Sequence, residues 1–200
     1  MKADSEAARI HPLDRAVACL SRNSRLFSRG WGDEEILASF SSPEHYLTPI
    51  SEISLSWRKP HRSGPRTYCD GQFRSPLKAL PNAVATAHVR WWGQAGNDAA
   101  SVMLAASRDE GYRIHESVFL PLTAHGIDLY FVENPYYGLR RNGRGPSDIS
   151  VADHGLMALG MVLEARALLE YLRTRYSKLA VAGYSMGGHM ASQRRSVDYL

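Results

Sequence analysis

The pattern of apolar and polar positions along the chain changes near residue 65. From that point short, strongly apolar runs alternate with amphipathic stretches, and each run has the length of a strand. Strands are predicted over residues 67–73, 83–92, 101–106, 127–132 and 179–183. The order of strands and helices indicates right-handed crossovers, as in a mostly parallel sheet that is buried on both faces. The predicted fold class is therefore α/β, with helices on both faces of the sheet.

Two helices are predicted between the later strands. The first spans residues 112–125, with Pro121 predicting a kink or an early end and Gly126 predicting the stop. Its apolar face consists of Ile114, Val118, Phe119 and Leu122. The second helix spans residues 151–176. Near its start, Asp148 and Asp153 are typical of acids that cap a helix or complement its dipole.

The first 64 residues have a different character. Residues 14–25 are predicted to form a short helix, and a second helix is predicted to begin at the acidic run 33–35, which favours a helix N-terminus. Prolines then interrupt the chain repeatedly, with one candidate strand over residues 53–57. Residues 1–64 are interpreted as an N-terminal extension that packs on a core formed by residues 65–200.

Composition excludes several classes of protein. The chain has 200 residues, enough for one sizeable domain, and 44% of them are hydrophobic. No apolar run approaches the roughly 18 residues of a membrane span, and residues 1–6 lack the apolar segment of a secretory signal. Cys19 and Cys69 form no metal-binding spacing and no disulfide framework. These features predict a cytoplasmic protein that holds neither a metal nor a cofactor.

The net charge of +4 comes from 24 basic and 20 acidic residues, and nearly all of the basic residues are arginines. Two arginine clusters stand out. One cluster spans residues 58–66, and the other consists of Arg140, Arg141 and Arg144. Either cluster could contact phosphate in a nucleic acid or a lipid headgroup, or could simply belong to a solvated loop. No basic stripe interleaved with aromatic residues accompanies them, so no nucleic-acid partner is predicted.

The strongest chemical motif is G-Y-S-M-G-G at residues 183–188, directly after an apolar run. A strand, a sharp turn and a helix with Ser185 at the turn is the nucleophile-elbow pattern. Gly183 and Gly187 would let the strand and the helix approach without a Cβ clash, and Met186 N–H would point to a developing oxyanion. The alternative is a glycine-rich strand-to-helix turn without chemistry.

Four segments carry a resemblance to a known family. They are FSRGWG at 27–32, DGQFRSP at 70–76, ENPYYGLR at 133–140 and GYSMGGHMA at 183–191. With them the chain resembles, from about residue 20 to about residue 192, the branch of α/β-hydrolases that includes α/β-hydrolase domain-containing protein 18 and its bacterial relatives. The resemblance implies a serine hydrolase in which Ser185 attacks the acyl ester of a small molecule or a lipid.

The same resemblance suggests further site residues. In this fold two backbone N–H groups bind the oxyanion. Met186 would supply one, and Ser107 or Arg108, in the loop after strand 101–106, would supply the other. Tyr136, Tyr137 and Tyr184 are candidates for the pocket wall, and plain structural packing is the alternative for Tyr136 and Tyr137.

The resemblance ends after Ala191, where residues 192–200 depart from the family pattern. In this fold the triad acid and histidine follow the nucleophile in the chain. We therefore expect either a truncated or frameshifted product with impaired chemistry, or a protein whose remaining part is supplied from elsewhere. His189, one helical turn after Ser185, is a weak candidate base, since it is expected to point away from the serine oxygen. The alternative function is a non-catalytic binding or scaffold protein that retains half of the hydrolase fold.

Strand 179–183 is expected to pair with strand 101–106 on one side and to leave its other edge open. An apolar open edge recruits other chains. We also expect partial exposure of the leucines of the long helix, namely Leu156, Leu159, Leu163 and Leu168. The chain is therefore predicted to be marginally stable and to self-associate.

Overall fold

The structure is a computed structural model that describes residues 11–21, 27–39, 43–141, 143 and 148–193. Its strands are β1 (Ser56–Trp57), β2 (His61–Ser63), β3 (Arg66–Arg74), β4 (Thr86–Gly93), β5 (Ala99–Leu104), β6 (Ile127–Val132) and β7 (Lys178–Gly183). Its α-helices are α1 (Pro12–Ser21), α2 (Glu34–Ser39), α3 (Arg113–Phe119), α4 (Val151–Leu172) and α5 (Met186–Ser192). Short 3-10 helices lie at Pro43–Leu47, Asn82–Val84, Leu120–His125 and Gly138–Arg140.

The strands form one mixed sheet in the order β1–β3–β4–β6–β5–β7, with β2 also paired to β3. β5 lies parallel to both β6 and β7, and the other pairs are antiparallel. β3 and β4 are antiparallel because a short connection joins them, whereas parallel neighbours need a longer crossover. The fold class is α/β as predicted, but only strands β5, β6 and β7 are parallel to one another. The turn at residues 183–188 follows β7 in this parallel part of the sheet.

The core lies on both faces of this sheet. On one face α4 is buried along most of its length, and Met157, Leu168 and Leu172 are fully enclosed. The other face is a smaller cluster around Met103 and Phe131, against which Phe119 of α3 packs. The sheet is therefore covered by helices on both faces, as a strand sequence of nearly continuous apolar runs predicts.

The expected exposure of the leucines on the long helix α4 is wrong. Leu156, Leu159, Leu163 and Leu168 were expected to be partly exposed, yet their exposed fractions are 2%, 5%, 5% and 0%. The sheet and the N-terminal region already cover these side chains, because residues such as Phe27, Ile36 and Tyr46 pack against the same cluster. The helix ends at Leu172, four residues before the predicted end at residue 176.

The segment over residues 112–125 also differs from its prediction. The α-helix ends at Phe119, and a 3-10 turn containing Pro121 continues to the left-handed Gly126 (φ +74°). Ile114, Val118 and Leu122 are exposed, whereas His115 is fully buried. The expected apolar face is therefore wrong except at Phe119, because hydrogen-bond and ring partners inside the fold allow a histidine to face the core.

The expectation of a solvated or phosphate-binding arginine is wrong for Arg140 of the second cluster. Arg140 is 1% exposed and forms a bidentate ion pair with Glu164 of α4, with N–O distances of 2.8 and 2.7 Å. Its guanidinium also donates to the carbonyl oxygens of Val84 and Glu133, both at 2.9 Å. Arg141 pairs with Glu110. Arg144 lies outside the described residues, as do the end of the helix predicted over 14–25 and the departing tail 194–200.

Hydrogen bonds join the N-terminal region to the start of α4 and to strand β3. The carbonyl groups of Gly30 and Trp31 accept hydrogen bonds from the Val151 and Ala152 N–H groups at 2.9 and 3.0 Å, which satisfies two donors at the start of α4. Ser150 and Asp153 complete that start as a reciprocal capping box, in agreement with the predicted capping acid. β1 and β2, which precede residue 65, pair with β3. The division at residue 64 stays a prediction.

No helix among the residues that the structure describes has the length and apolar character needed to cross a bilayer. The cytoplasmic location stays a prediction.

Candidate active site

Ser185 stands at the turn between β7 and α5. Its backbone has φ 52° and ψ −126°, a region that residues with a Cβ rarely enter. The side chain is exposed, and no described residue forms a hydrogen bond with its hydroxyl. The sequence expectation of a strand, a strained serine and a helix is confirmed in geometry, and strain of this kind clusters at functional sites.

The glycines beside Ser185 bring three chain segments into contact. A Cβ on Gly183 would lie 2.6 Å from the carbonyl carbon of Gly187, so the strand and the helix could not approach as they do. A Cβ on Gly187 would overlap the carbonyl oxygen of Leu104, the last residue of β5. Both positions therefore require glycine on steric grounds, and α5 starts directly against the carboxyl end of β5.

The loop after β5, residues 105–111, lies beside this turn. It bends through a hydrogen bond from Asp109 N–H to Ala106 carbonyl at 3.3 Å and through a left-handed Arg108 (φ 63°). The Tyr184 hydroxyl donates to Oδ2 of Asp109 at 2.9 Å. This bond connects the residue before Ser185 with the loop that is expected to supply an oxyanion donor.

The buried ring of His115, in α3, lies close to the same carboxylate. Its Nε2 lies 3.0 Å from the Leu104 carbonyl oxygen and 3.5 Å from Oδ2 of Asp109, and both side chains are buried. Burial holds the pKa of His115 below its ordinary value, against the opposing effect of Asp109. The ring is therefore neutral at pH 7, and its Nε2–H is positioned to donate to Leu104.

Two polar residues directly after β6 hold the loop from the opposite side. The Asn134 side-chain nitrogen donates to the carbonyl oxygens of Ala105 and Ala106, at 3.3 and 3.2 Å. The Glu133 carboxylate accepts from the Gly111 N–H at 3.1 Å and from the Leu139 N–H at 3.0 Å. Burial raises the pKa of Glu133, although these two N–H groups oppose the shift. The loop is thus held at its beginning, its middle and its end.

The residues expected to stabilise an oxyanion are available for that role. Met186 is the first residue of α5, and first-turn N–H groups have no acceptor within the helix. Ser107 and Arg108 are exposed, and no described residue accepts a hydrogen bond from their N–H groups. Their roles as donors stay predictions, since the contacts between loop and turn show proximity alone.

The predicted pocket residues lie at different depths. Tyr136 and Tyr137 are 2% and 1% exposed and belong to the main core cluster, and Tyr136 has a left-handed backbone (φ 68°). Tyr184 is half-buried, with its ring against His115 and Phe119. A role for any of them in a pocket wall stays a prediction.

No base is in contact with Ser185 among the described residues. His189 is exposed on α5, and its backbone N–H donates to the Ser185 carbonyl oxygen at 3.1 Å. His154 packs edge-on against Phe27. Within the described part of the chain, no group of three His, Cys, Asp or Glu side chains is placed to hold a metal ion.

Sequence reasoning did not identify the residues that position the loop, namely Asp109, His115, Glu133 and Asn134. One signal was present, because Glu133 and Asn134 are polar residues that directly follow β6, a strand whose single charged residue is Asp128. In parallel sheets the carboxyl ends of strands border the binding crevice. Asp109 and His115 carry no comparable local signal, since their partners come from distant parts of the chain.

Known proteins share a family profile and the overall fold with this chain. A family profile described as Alpha/beta hydrolase domain containing 18 matches residues 24–198. A solved protein from Bacteroides fragilis, described as a candidate acetyl xylan esterase, superposes with a TM-score of 0.55 at 14% identity, over 96% of this chain and 58% of its own. At that identity the likeness shows the fold alone.

Two further solved esterases have TM-scores of 0.49. One is a cold-adapted esterase from an Arctic intertidal metagenomic library, at 16% identity over 69% of this chain and 59% of its own. The other is an acetyl xylan esterase from Paenibacillus sp. R4, at 11% identity over 86% of this chain and 59% of its own. The chain thus spans 58–59% of the length of these solved structures.

Proposed function

Because the chain belongs to the family Alpha/beta hydrolase domain containing 18, we propose that it is a serine hydrolase of acyl esters with Ser185 as its nucleophile. The observation that carries the proposal is the backbone of Ser185, with φ 52° and ψ −126° at an exposed strand-to-helix turn. A protein maintains such strain only where surrounding contacts enforce it, and here Gly183, Gly187 and the Tyr184–Asp109 bond do so.

The chemistry would proceed by acyl transfer. Ser185 Oγ bonds to the acyl carbon, the ester C–O bond breaks, and the alcohol leaves with a proton. Water then attacks the acyl-serine and releases the carboxylic acid. Met186 N–H and an N–H of the 105–111 loop would stabilise the oxyanion formed in each step.

The Ser185 proton needs an acceptor, because a neutral hydroxyl is a weak nucleophile. No described side chain is placed for that task. In a serine hydrolase without its full triad, binding and the oxyanion site still give about 10³–10⁴-fold acceleration over water. We therefore propose slow acylation and slower turnover for this chain.

The experiment is acylation by 4-nitrophenyl acetate, followed by release of 4-nitrophenolate and by mass spectrometry of digested protein. We expect one acetyl group on the peptide that contains Ser185 and none on that peptide in the Ser185→Ala variant. Ser54→Ala, at an exposed serine outside the site, is the matched control and should acylate as the wild type does. Steady turnover should be barely above that of Ser185→Ala.

A failure to acylate Ser185 would contradict the proposal. Binding of the ester without acyl transfer would instead support a non-catalytic binding protein. If Ser185 is acylated, its acylation rates by acetate, hexanoate and dodecanoate esters separate small-molecule substrates from lipids. A longer buried acyl chain adds apolar binding energy, so a lipid hydrolase should prefer the dodecanoate ester.

A further inference from the structure

Three chain segments lie side by side at the carboxyl edge of the parallel strands. In β5, Leu104 is opposite Val132 of β6 on one side and Gly183 of β7 on the other. Two residues beyond these three positions come Ala106, Asn134 and Ser185. Because neighbouring strands are about 4.8 Å apart, Ala106 emerges between Asn134 on the β6 side and Ser185 on the β7 side.

The Ala106 carbonyl group is held on the β6 side. The buried Asn134 side chain, 1% exposed, donates to this oxygen at 3.2 Å and to the Ala105 oxygen at 3.3 Å. The Asp109 N–H donates to the same Ala106 oxygen at 3.3 Å. A carbonyl oxygen has two lone pairs, so both acceptor positions of Ala106 are used.

The orientation of this carbonyl determines that of the next N–H. The described peptide bonds are all trans, and in a planar trans peptide the C=O of one residue and the N–H of the next point in opposite directions. With the Ala106 oxygen held on the side of Asn134, the Ser107 N–H is directed to the side of Ser185. No described residue accepts a hydrogen bond from it.

We infer that Asn134 is a positioning residue for the oxyanion site, because it orients the Ser107 N–H as the second donor beside the Met186 N–H. The inference rests on the proposed function of Ser185. It also selects Ser107 over Arg108, since the Arg108 N–H belongs to the next peptide, which Asn134 does not contact. Asparagine suits this task because its amide nitrogen carries two N–H donors, one for each carbonyl oxygen.

The test compares phosphorylation of Ser185 by paraoxon and by parathion, which differ only in a P=O or a P=S group. In both reactions the Oγ–P bond forms, the P–O bond to 4-nitrophenolate breaks, and the Oγ proton passes to solvent. Oxygen accepts hydrogen bonds well and sulfur weakly, so the rate ratio of the two reagents reports the oxyanion donors. A general loss of folded protein lowers both rates and leaves the ratio unchanged.

We expect Asn134→Leu to lower the paraoxon rate about 10²–10³-fold, the effect of losing one oxyanion donor. The ratio of paraoxon to parathion rates should fall at least about tenfold with it. Ser107→Pro, which removes the N–H itself, should have the same effect. The double variant should be no slower than either single variant, because both substitutions act through one donor.

Asn97→Leu is the matched control. Asn97 is also an amide with a hydrogen bond inside the fold, to Oδ1 of Asp128 at 2.6 Å, but it lies just before β5, at the opposite end of the strand. Its substitution should leave the rate ratio as in the wild type. A similar fall of the ratio in this control would overturn the inference.

The remaining outcomes separate the two proposals. If the wild type is not phosphorylated at Ser185, the proposed function and the inference both fail. If it is phosphorylated and Asn134→Leu keeps the wild-type ratio, only the inference fails. If Asn134→Leu does not fold, ¹H–¹⁵N spectra of the wild type decide. Phosphorylation must then shift the Ser107 and Met186 amide protons downfield, and an unmoved Ser107 signal overturns the inference.

Discussion

The Tyr184 hydroxyl donates a hydrogen bond of 2.9 Å to Oδ2 of Asp109, and this bond joins the turn at Ser185 to the loop after β5. Burial, together with the bond to Asp109, raises the pKa of Tyr184 to about 12. The phenol therefore remains a donor throughout the neutral range. The strained serine and the loop are held as one unit by side chains that do not themselves take part in the proposed acyl transfer.

Tyr184→Phe should lower the free energy of unfolding by about 1.5–3 kcal/mol, the range for a hydrogen bond to a charged group. The substitution keeps the ring but leaves the buried Asp109 carboxylate without its closest donor. Urea unfolding measures the loss. Tyr68→Phe is the control, because the Tyr68 ring packs at a tilt against Trp92 while its hydroxyl has no hydrogen-bond partner among the described residues. Equal losses in both variants would contradict the prediction.

Ser185→Gly should raise the free energy of unfolding by about 1 kcal/mol, because glycine adopts a positive φ without strain. Ser185→Ala should show no such gain, since it retains the Cβ. Ser54→Gly, at an exposed loop serine whose φ is not positive, should be neutral or slightly destabilising. A Ser185→Gly protein no more stable than Ser185→Ala would mean that the turn carries little strain.

Breaking the buried ion pair between Arg140 and Glu164 should be costly. Arg140→Met leaves an unpaired carboxylate that is 0% exposed, and we expect a loss of about 3–5 kcal/mol in urea unfolding. Adding Glu164→Leu should recover part of this loss, because the isolated charge is then removed. Arg173→Met, in the exposed pair with Glu170, should change stability by less than about 1 kcal/mol. A double variant no more stable than Arg140→Met would contradict this account.

Local patterns predicted some of these features and missed others for a physical reason. The turn at Ser185 was predictable because its requirements, an apolar strand and two close glycines, all lie within a few residues. β6 was predicted to the residue because its residues are apolar except for Asp128. Arg140 was misinterpreted because its partner Glu164 lies 24 residues away. His115 was overlooked because its contacts with Leu104 and Tyr184 exist only in the folded chain.

Stability should fall when the pH drops below about 6.5, the ordinary pKa of an exposed histidine. Burial is the largest cause that lowers the pKa values of His88, His115 and His154 in the folded protein. Below about pH 6.5 the unfolded chain therefore binds more protons than the folded one, and the free energy of unfolding decreases as the pH falls. Each histidine lowers the free energy of unfolding by at most about 1.4 kcal/mol per pH unit, in the pH range between its pKa values in the unfolded and folded chain.

Urea unfolding at about pH 7.5 and about pH 5.5 tests this dependence. His115→Phe should reduce the difference between the two conditions, because a phenyl ring has no proton to bind. His189→Gln, at an exposed histidine, should leave the difference unchanged. A protein that is more stable at the lower pH, or a His115→Phe variant with the full wild-type difference, would contradict the assignment.

The open edge of β7 leads to the last prediction, which concerns self-association. Among the described residues β7 pairs with β5 alone, so the backbone groups along its other edge have no partner strand. The strand reads KLAVAG, apolar after its single lysine, and such an edge is a template for pairing with another chain. The leucines of α4 are buried. Association would therefore depend on the backbone edge of β7 and not on an exposed apolar face of α4.

We therefore expect the purified chain to form dimers or larger species whose share rises with concentration, as measured by size-exclusion chromatography with light scattering. Ala180 is exposed in the middle of this strand, and Ala180→Lys should shift the protein towards monomer, because a charge on an edge strand opposes pairing. Ser63→Lys, on the exposed strand β2, should not change the distribution. A wild-type monomer at every concentration, with one cooperative urea transition, would show that the edge does not recruit a second chain.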